Sequence, residues 1–191
     1  FFDQMSNAAP NLENIGKRMQ AVVPVHNLDE RFRQMDAFGE YKQLISLPNP
    51  PLEDITDVET GCLLARAAND SMAELCAKHP DRFVGFAAAL HMEDMDQAMA
   101  ELHRSIKDLG ARGVQIFTNV NGKPLDRPDY LPLFDAMAEY DLPIWMHPAR
   151  GAEISDYRDE ERGRFEMWWC FGWPYETSVA MTRLVYCGLF D

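Results

Sequence analysis

His147 is the residue whose type and setting most directly suggest chemistry. It closes the apolar run Leu142 to Met146, which is too short and too tightly bounded for an ordinary helix, and Pro148 follows at once. The run fits a buried parallel strand, apolar on both faces. The proline ends that strand and biases His147 to an extended backbone. Parallel α/β proteins assemble their sites at strand C-terminal ends, and a neutral imidazole there offers a lone pair to a metal ion or a proton. A hydrogen-bonded core or rim histidine fits the same pattern, so the residue alone leaves both readings open. His26 in an irregular arm, His79 in the turn before Pro80 and His103 on a helix flank have no comparable placement.

The elements that must position His147 alternate along the chain. Residues 1–27 read as an irregular arm with a helical turn around Ile15 to Met19. A helix from Asp29 places Leu28, Phe32 and Met35 at helical spacing and ends at Gly39. Lys42 to Leu47 is the first predicted strand, closed by Pro48-Asn49-Pro50-Pro51. The next helix aligns Leu64, Ala68, Met72 and Leu75-Cys76 until Pro80, and Arg82 to Leu90 is a second strand ending at His91. Asp94 or Asp96 caps a helix that turns Ala98, Met99, Leu102, Ile106 and Leu109 inward and stops at Gly110. Gly113 to Phe117 is the third strand, and Pro128 to Tyr140 a helix with Leu131, Phe134 and Met137-Ala138 inward. The strand ending at His147 is the fourth. About 26 residues without a clean period follow it, a length that usually caps a site or is disordered. The last helix has Pro174 at its first position and Met181, Leu184, Val185 and Gly188 on its buried side.

This alternation predicts a parallel sheet with right-handed crossovers. An open nucleotide-binding sheet would carry a Gly-rich turn after its first strand, and Pro-Asn-Pro-Pro cannot present a row of N–H groups to phosphate. The expected fold class is therefore α/β, as part of a (β/α)8 barrel, which needs about 250 residues when complete. The chain opens on Phe1-Phe2-Asp3 and stops at Asp191, just past an apolar helix. It reads as an internal piece of a longer protein, a single domain with an arm at 1–27 and βα units at 28–191.

A net charge of −13 repels phosphate backbones and anionic bilayers, so neither nucleic acid nor membrane is an expected partner. Cys62, Cys76, Cys170 and Cys187 form no CxxC pair and read as reduced thiols in a cytoplasmic protein.

Several segments, taken in order, resemble one family. They are Ala65-Arg66-Ala67-Ala68-Asn69-Asp70, Pro80 to Ala87, Gly113-Val114-Gln115-Ile116 with Thr118 and Val120-Asn121, Met146-His147-Pro148, and Pro174-Tyr175-Glu176-Thr177. Together they look like the amidohydrolase-related family, in the branch of aminocarboxymuconate-semialdehyde decarboxylase and the aromatic-acid decarboxylases. The resemblance implies a metal-dependent (β/α)8 TIM barrel. In that family a His-x-His pair after the first strand, a His after the fifth and an Asp after the eighth hold a divalent ion, and a His after the sixth assists. The predicted strands would then be the second to fifth, with His147 as the fifth-strand ligand. The remaining ligands and the acid–base residues would lie outside this segment, so no catalytic residue is assigned within it. Zn2+ is the expected ion, with Mn2+ or Mg2+ as alternatives.

The resemblance also gives candidates for substrate binding. Trp168, Trp169 and Trp173 could form an aromatic wall or pack the loop onto the last helix. Arg150 could grip a substrate carboxylate bidentately or pair with Asp156 or Glu160. Asn119 and Asn121 could bond substrate or satisfy a turn. His91 departs from the family, where this strand often ends in Pro, and could reach the mouth or sit at the rim. The implied function is metal-dependent, non-oxidative decarboxylation of a small aromatic or unsaturated carboxylic acid by a homodimer. Hydrolysis of a lactone or amide by metal-bound hydroxide is the alternative, and a non-catalytic binding barrel a second one.

Overall fold

The structure, a computed structural model, describes residues 21–191; the helical turn expected around Ile15 to Met19 lies outside them. Part of the expected irregular arm is helical, at Val23–His26. Four strands, β1 (Gln43–Ile45), β2 (Phe83–Phe86), β3 (Val114–Phe117) and β4 (Ile144–His147), alternate with α2 (Val58–Lys78), α3 (Met95–Lys107) and α4 (Leu131–Tyr140). Helix α1 (Leu28–Asp36) precedes them and α5 (Gly172–Tyr186) follows.

These four strands run parallel, in chain order across the sheet. β1 pairs with β2 through Gln43↔Phe83 and Ile45↔Phe86. β3 pairs with β4 from Val114↔Ile144 to Phe117↔His147. A bridge at Ala88↔Val114 joins the two pairs, with Ala88 N–H donating to Gly113 O and Gln115 N–H to Ala88 O, both at 2.9 Å. The second strand is shorter than Arg82 to Leu90 because a side chain takes over its backbone. The buried Asn69 of α2 accepts from Ala89 N–H at 2.8 Å and donates to Ala89 O at 2.9 Å, which satisfies that residue without a strand partner.

The helix starts follow capping chemistry. Asn27, Asp57 and Asp94 each accept an N–H from three residues on, at 3.0 Å, which fixes where α1, α2 and α3 begin. Helix α4 closes on Asp141 at φ +52, with Leu142 N–H reaching back to Met137 O at 3.2 Å. Leu142 therefore belongs to the helix terminus, and β4 starts two residues later than expected. Helix α5 starts at Gly172, and Pro174 is its third residue. Pro174 is tolerated there because the first four helical N–H groups have no intrahelical partner.

The core lies between the sheet and the helices, in one cluster around Leu102, Val114, Ile116, Leu133 and Leu184 and another around Ile45, Met72, Phe83 and Phe86. Each fully buried leucine contributes about 1.5–3 kcal/mol. The inward stripe of α2 is as expected. That of α4 is rotated, with Leu133 and Ala136 buried and Ala138 exposed. On α5, Ala180 and Leu184 are buried while Met181 and Val185 face out. Nor is β4 covered on both faces: Trp145 is 39% exposed, and among the described residues β4 has a strand partner only on its β3 side. No helix among the described residues is long and apolar enough to cross a membrane.

Candidate functional site

His147 sits at the C-terminal end of β4, opposite Phe117 at the end of β3. Its Nδ1 lies 2.7 Å from Pro148 O. A carbonyl oxygen can only accept, so Nδ1 carries the hydrogen and the neutral ring keeps its lone pair on Nε2. The ring packs edge-on against Phe117 (5.5 Å between centroids) and Trp173 (5.2 Å). Its own carbonyl accepts from Thr118 N–H at 3.0 Å. Backbone and ring are thus both held, with one nitrogen available, which is how metal-binding imidazoles are prepared. Among the described residues no group of three or more His, Cys, Asp or Glu side chains is placed to hold a metal. His147 fits one position of a coordination shell and no more.

Beside this strand end lies a cleft of about 1110 Å³, walled by the segments Asn49–Ile55, Asn119–Gly122 and Ala149–Ile154 and by Trp168. It brings together four of the predicted residues, Arg150, Asn119, Asn121 and Trp168. Arg150 approaches Asp156 at 3.6 Å, and its buried Nε has no hydrogen-bond partner. Gly172 makes room for it, since a Cβ there would lie 2.5 Å from Arg150 Cδ. Asn119 is engaged at both ends of its amide: Oδ1 accepts from Gly122 N–H and Nδ2 donates to Glu176, each at 2.8 Å. That leaves one Nδ2–H for a ligand. Asn121 takes φ +48 in the tight turn between two short antiparallel strands, Asn119–Val120 and Lys123–Pro124.

Trp173 is the hub of the aromatic loop. It touches His147, Trp168 and Trp169, and its Nε1–H donates to Arg150 O at 2.9 Å. Trp169 is on the other side of this hub, 45% exposed, in a shallow recess with Pro148 and α5. His91 does not reach the cleft. It is 1% exposed, lies against Gly61 of α2, and neither ring nitrogen has a partner.

The cleft is electrically negative. Asp54 still reaches solvent, but partial burial first, and the charges of Glu53, Glu153 and Glu176 second, raise its pKa from 3.8 to about 6. Glu176 was noticed in the sequence only as part of a motif. In the structure its Oε1 accepts from the Thr118 hydroxyl, from Asn119 Nδ2 and, at 3.4 Å, from Ala149 N–H. The available signal was an acid two residues after the proline near the start of the helix that follows the long loop.

The amidohydrolase family model matches residues 21–191. The chain belongs to the amidohydrolase family. Among curated amidohydrolase relatives, the gamma-resorcylate decarboxylase of Rhizobium sp. (strain MTP-10005) is 37% identical over 173 residues, which cover 85% of this chain and 51% of that protein. The 2-amino-3-carboxymuconate-6-semialdehyde decarboxylase of Dictyostelium discoideum is 32% identical over 128 residues, 67% of this chain and 34% of that protein. The crystal structure of a dihydroxybenzoic acid decarboxylase from Polaromonas sp. JS666, with bound manganese and the inhibitor 2-nitroresorcinol, superposes with a TM-score of 0.75 at 32% identity. It covers 94% of this chain and 55% of that one. This amidohydrolase chain spans about half the length of the first curated relative.

Proposed function

We propose that this chain is the part of a metal-dependent decarboxylase of small aromatic carboxylic acids that supplies the fifth-strand metal ligand, His147. β1 to β4 would be the second to fifth strands of a (β/α)8 barrel. The observation that carries this reading is His147 itself, at a strand end beside a cleft, with Nδ1 tied to Pro148 and Nε2 left as its acceptor. The decarboxylase names of the relatives, and the manganese in the Polaromonas structure, support it.

A divalent cation, Mn2+ or Zn2+, would supply positive charge against the cleft's carboxylates and bind the acid's oxygens. The chain's own residues would do the rest. Arg150 lines the cleft and would pair with a substrate carboxylate once the long contact to Asp156 yields. Trp168, held edge-on by Trp173, offers an apolar wall for a planar ring. Asn119 offers its remaining N–H to a ring substituent.

The test is CO2 release from hydroxybenzoates by the intact protein loaded with Mn2+ or Zn2+, run beside hydrolysis of lactones. The proposal expects CO2 release that a chelator abolishes. Lactone hydrolysis without CO2 release would replace it with the hydrolase reading.

A further inference from the structure

We infer that Glu176 is the positioning residue for His147, acting through Thr118 and the Pro148–Ala149 peptide; this rests on the metal-ligand reading of His147. The carbonyl that fixes the His147 tautomer belongs to Pro148, so the imidazole is only as well placed as that peptide unit. The next backbone N–H, of Ala149, donates to Thr118 Oγ1 at 3.0 Å, and the Thr118 hydroxyl in turn donates to Glu176 Oε1. Asn119 Nδ2 donates to the same oxygen, and Thr118 N–H holds His147 O. One carboxylate oxygen on α5 therefore gathers the ends of β3 and β4, from residues 57 and 58 positions away in the chain.

Thr118 is 4% exposed, so its hydroxyl relies on protein partners. Ionised acceptors make the stronger hydrogen bonds, and a carboxylate is the side chain that can take several N–H and O–H donors at once. Without it, Thr118 Oγ1 and Ala149 N–H lose their common anchor. The Pro148 carbonyl is then free to rotate away from Nδ1, and the imidazole can redistribute its hydrogen between the two nitrogens.

The test uses the intact protein with Glu176→Ala, Thr118→Val and Glu176→Gln, and measures two things. One is Mn2+ affinity, by competition with a chelator. The other is the tautomer of His147 in metal-free protein, from its imidazole 15N shifts. Glu176→Ala and the near-isosteric Thr118→Val should each weaken Mn2+ binding about tenfold or more, as loss of a ligand's supporting partner does. Both should mix the tautomers, and Glu176→Gln, which keeps one acceptor oxygen, should recover most of the affinity. If both variants fold and keep the wild-type affinity and a single tautomer, the inference is wrong, whatever happens to the melting temperature. Should His147→Ala bind Mn2+ as tightly as wild type, the metal-ligand reading fails instead, and the metal-free tautomers still decide the role of Glu176.

Discussion

Two histidines, the last residue of β4 and one beyond the end of β2, lie on the C-terminal side of this sheet, and the chain treats them in opposite ways. After β2, Asn69 of α2 takes both backbone groups of Ala89 and Glu53 accepts Met92 N–H at 2.6 Å, which ties the segment to α2 and to the turn Leu52–Asp54. His91 ends up sealed against Gly61 with neither nitrogen bonded. After β4, Pro148 turns the chain across the mouth, and Thr118 and Glu176 hold the next peptide. His147 therefore stays partly exposed, next to the Ala149–Ile154 wall of the cleft, with its tautomer set. A histidine at a strand end becomes a ligand candidate only where the following backbone leaves its ring at the mouth.

Three substitutions test this contrast, from the largest expected effect to the smallest. Gly113 ties the β2 side to the β4 side: it sits at φ +152, accepts from Ala88 N–H, and an added Cβ would lie 2.3 Å from the carbonyl oxygen of Pro143. Gly113→Ala combines backbone strain with a backbone clash and should cost about 3 kcal/mol in denaturant unfolding. It should also shift the imidazole resonances of His147 more than those of His91.

Gly61→Ala acts on the His91 side alone. Its Cβ would fall 2.0 Å from His91 Cδ2, so overpacking outweighs the gain in helix propensity, for a net loss of about 1–2 kcal/mol. Adding His91→Ala should restore most of that loss; a loss that persists in the double variant would mean that the two residues do not collide.

Asp54 stands between the two ends, beside Glu53 and within the field of Glu176. A carboxyl whose folded pKa, about 6, exceeds its unfolded value of 3.8 favours folding more as pH falls. Asp54→Asn should therefore raise the melting temperature at pH 8, and the gain should shrink as the pH drops through 6 towards 4. A gain independent of pH would remove the charge explanation.

The alternation of elements was legible because each strand and helix carries its own period and stop signal, such as Pro80, Gly110 and the His147-Pro148 pair. Helix phase was less legible where two faces are both apolar. In α4, Leu131, Leu133, Phe134, Ala136 and Met137 fit more than one stripe, and packing against β3 chose Leu133. The exposure of Trp145 was not legible at all, because it depends on which edge of β4 has a neighbour. At the candidate site, His147 could be read from its strand and the proline after it. The cluster of Thr118, Asn119 and Glu176 could not, since its members meet only once the sheet and α5 are assembled. His91 shows the converse, where a sound local pattern was overridden by a glycine on the facing helix.

The central claim is tested most directly by the metal content of the intact protein with His147→Ala and, in parallel, with His91→Ala, each shown to be folded by circular dichroism. Loss of the bound divalent ion from the His147 variant and its retention in the His91 variant is the predicted result. Full metal content in His147→Ala, or equal loss from both, would contradict the account.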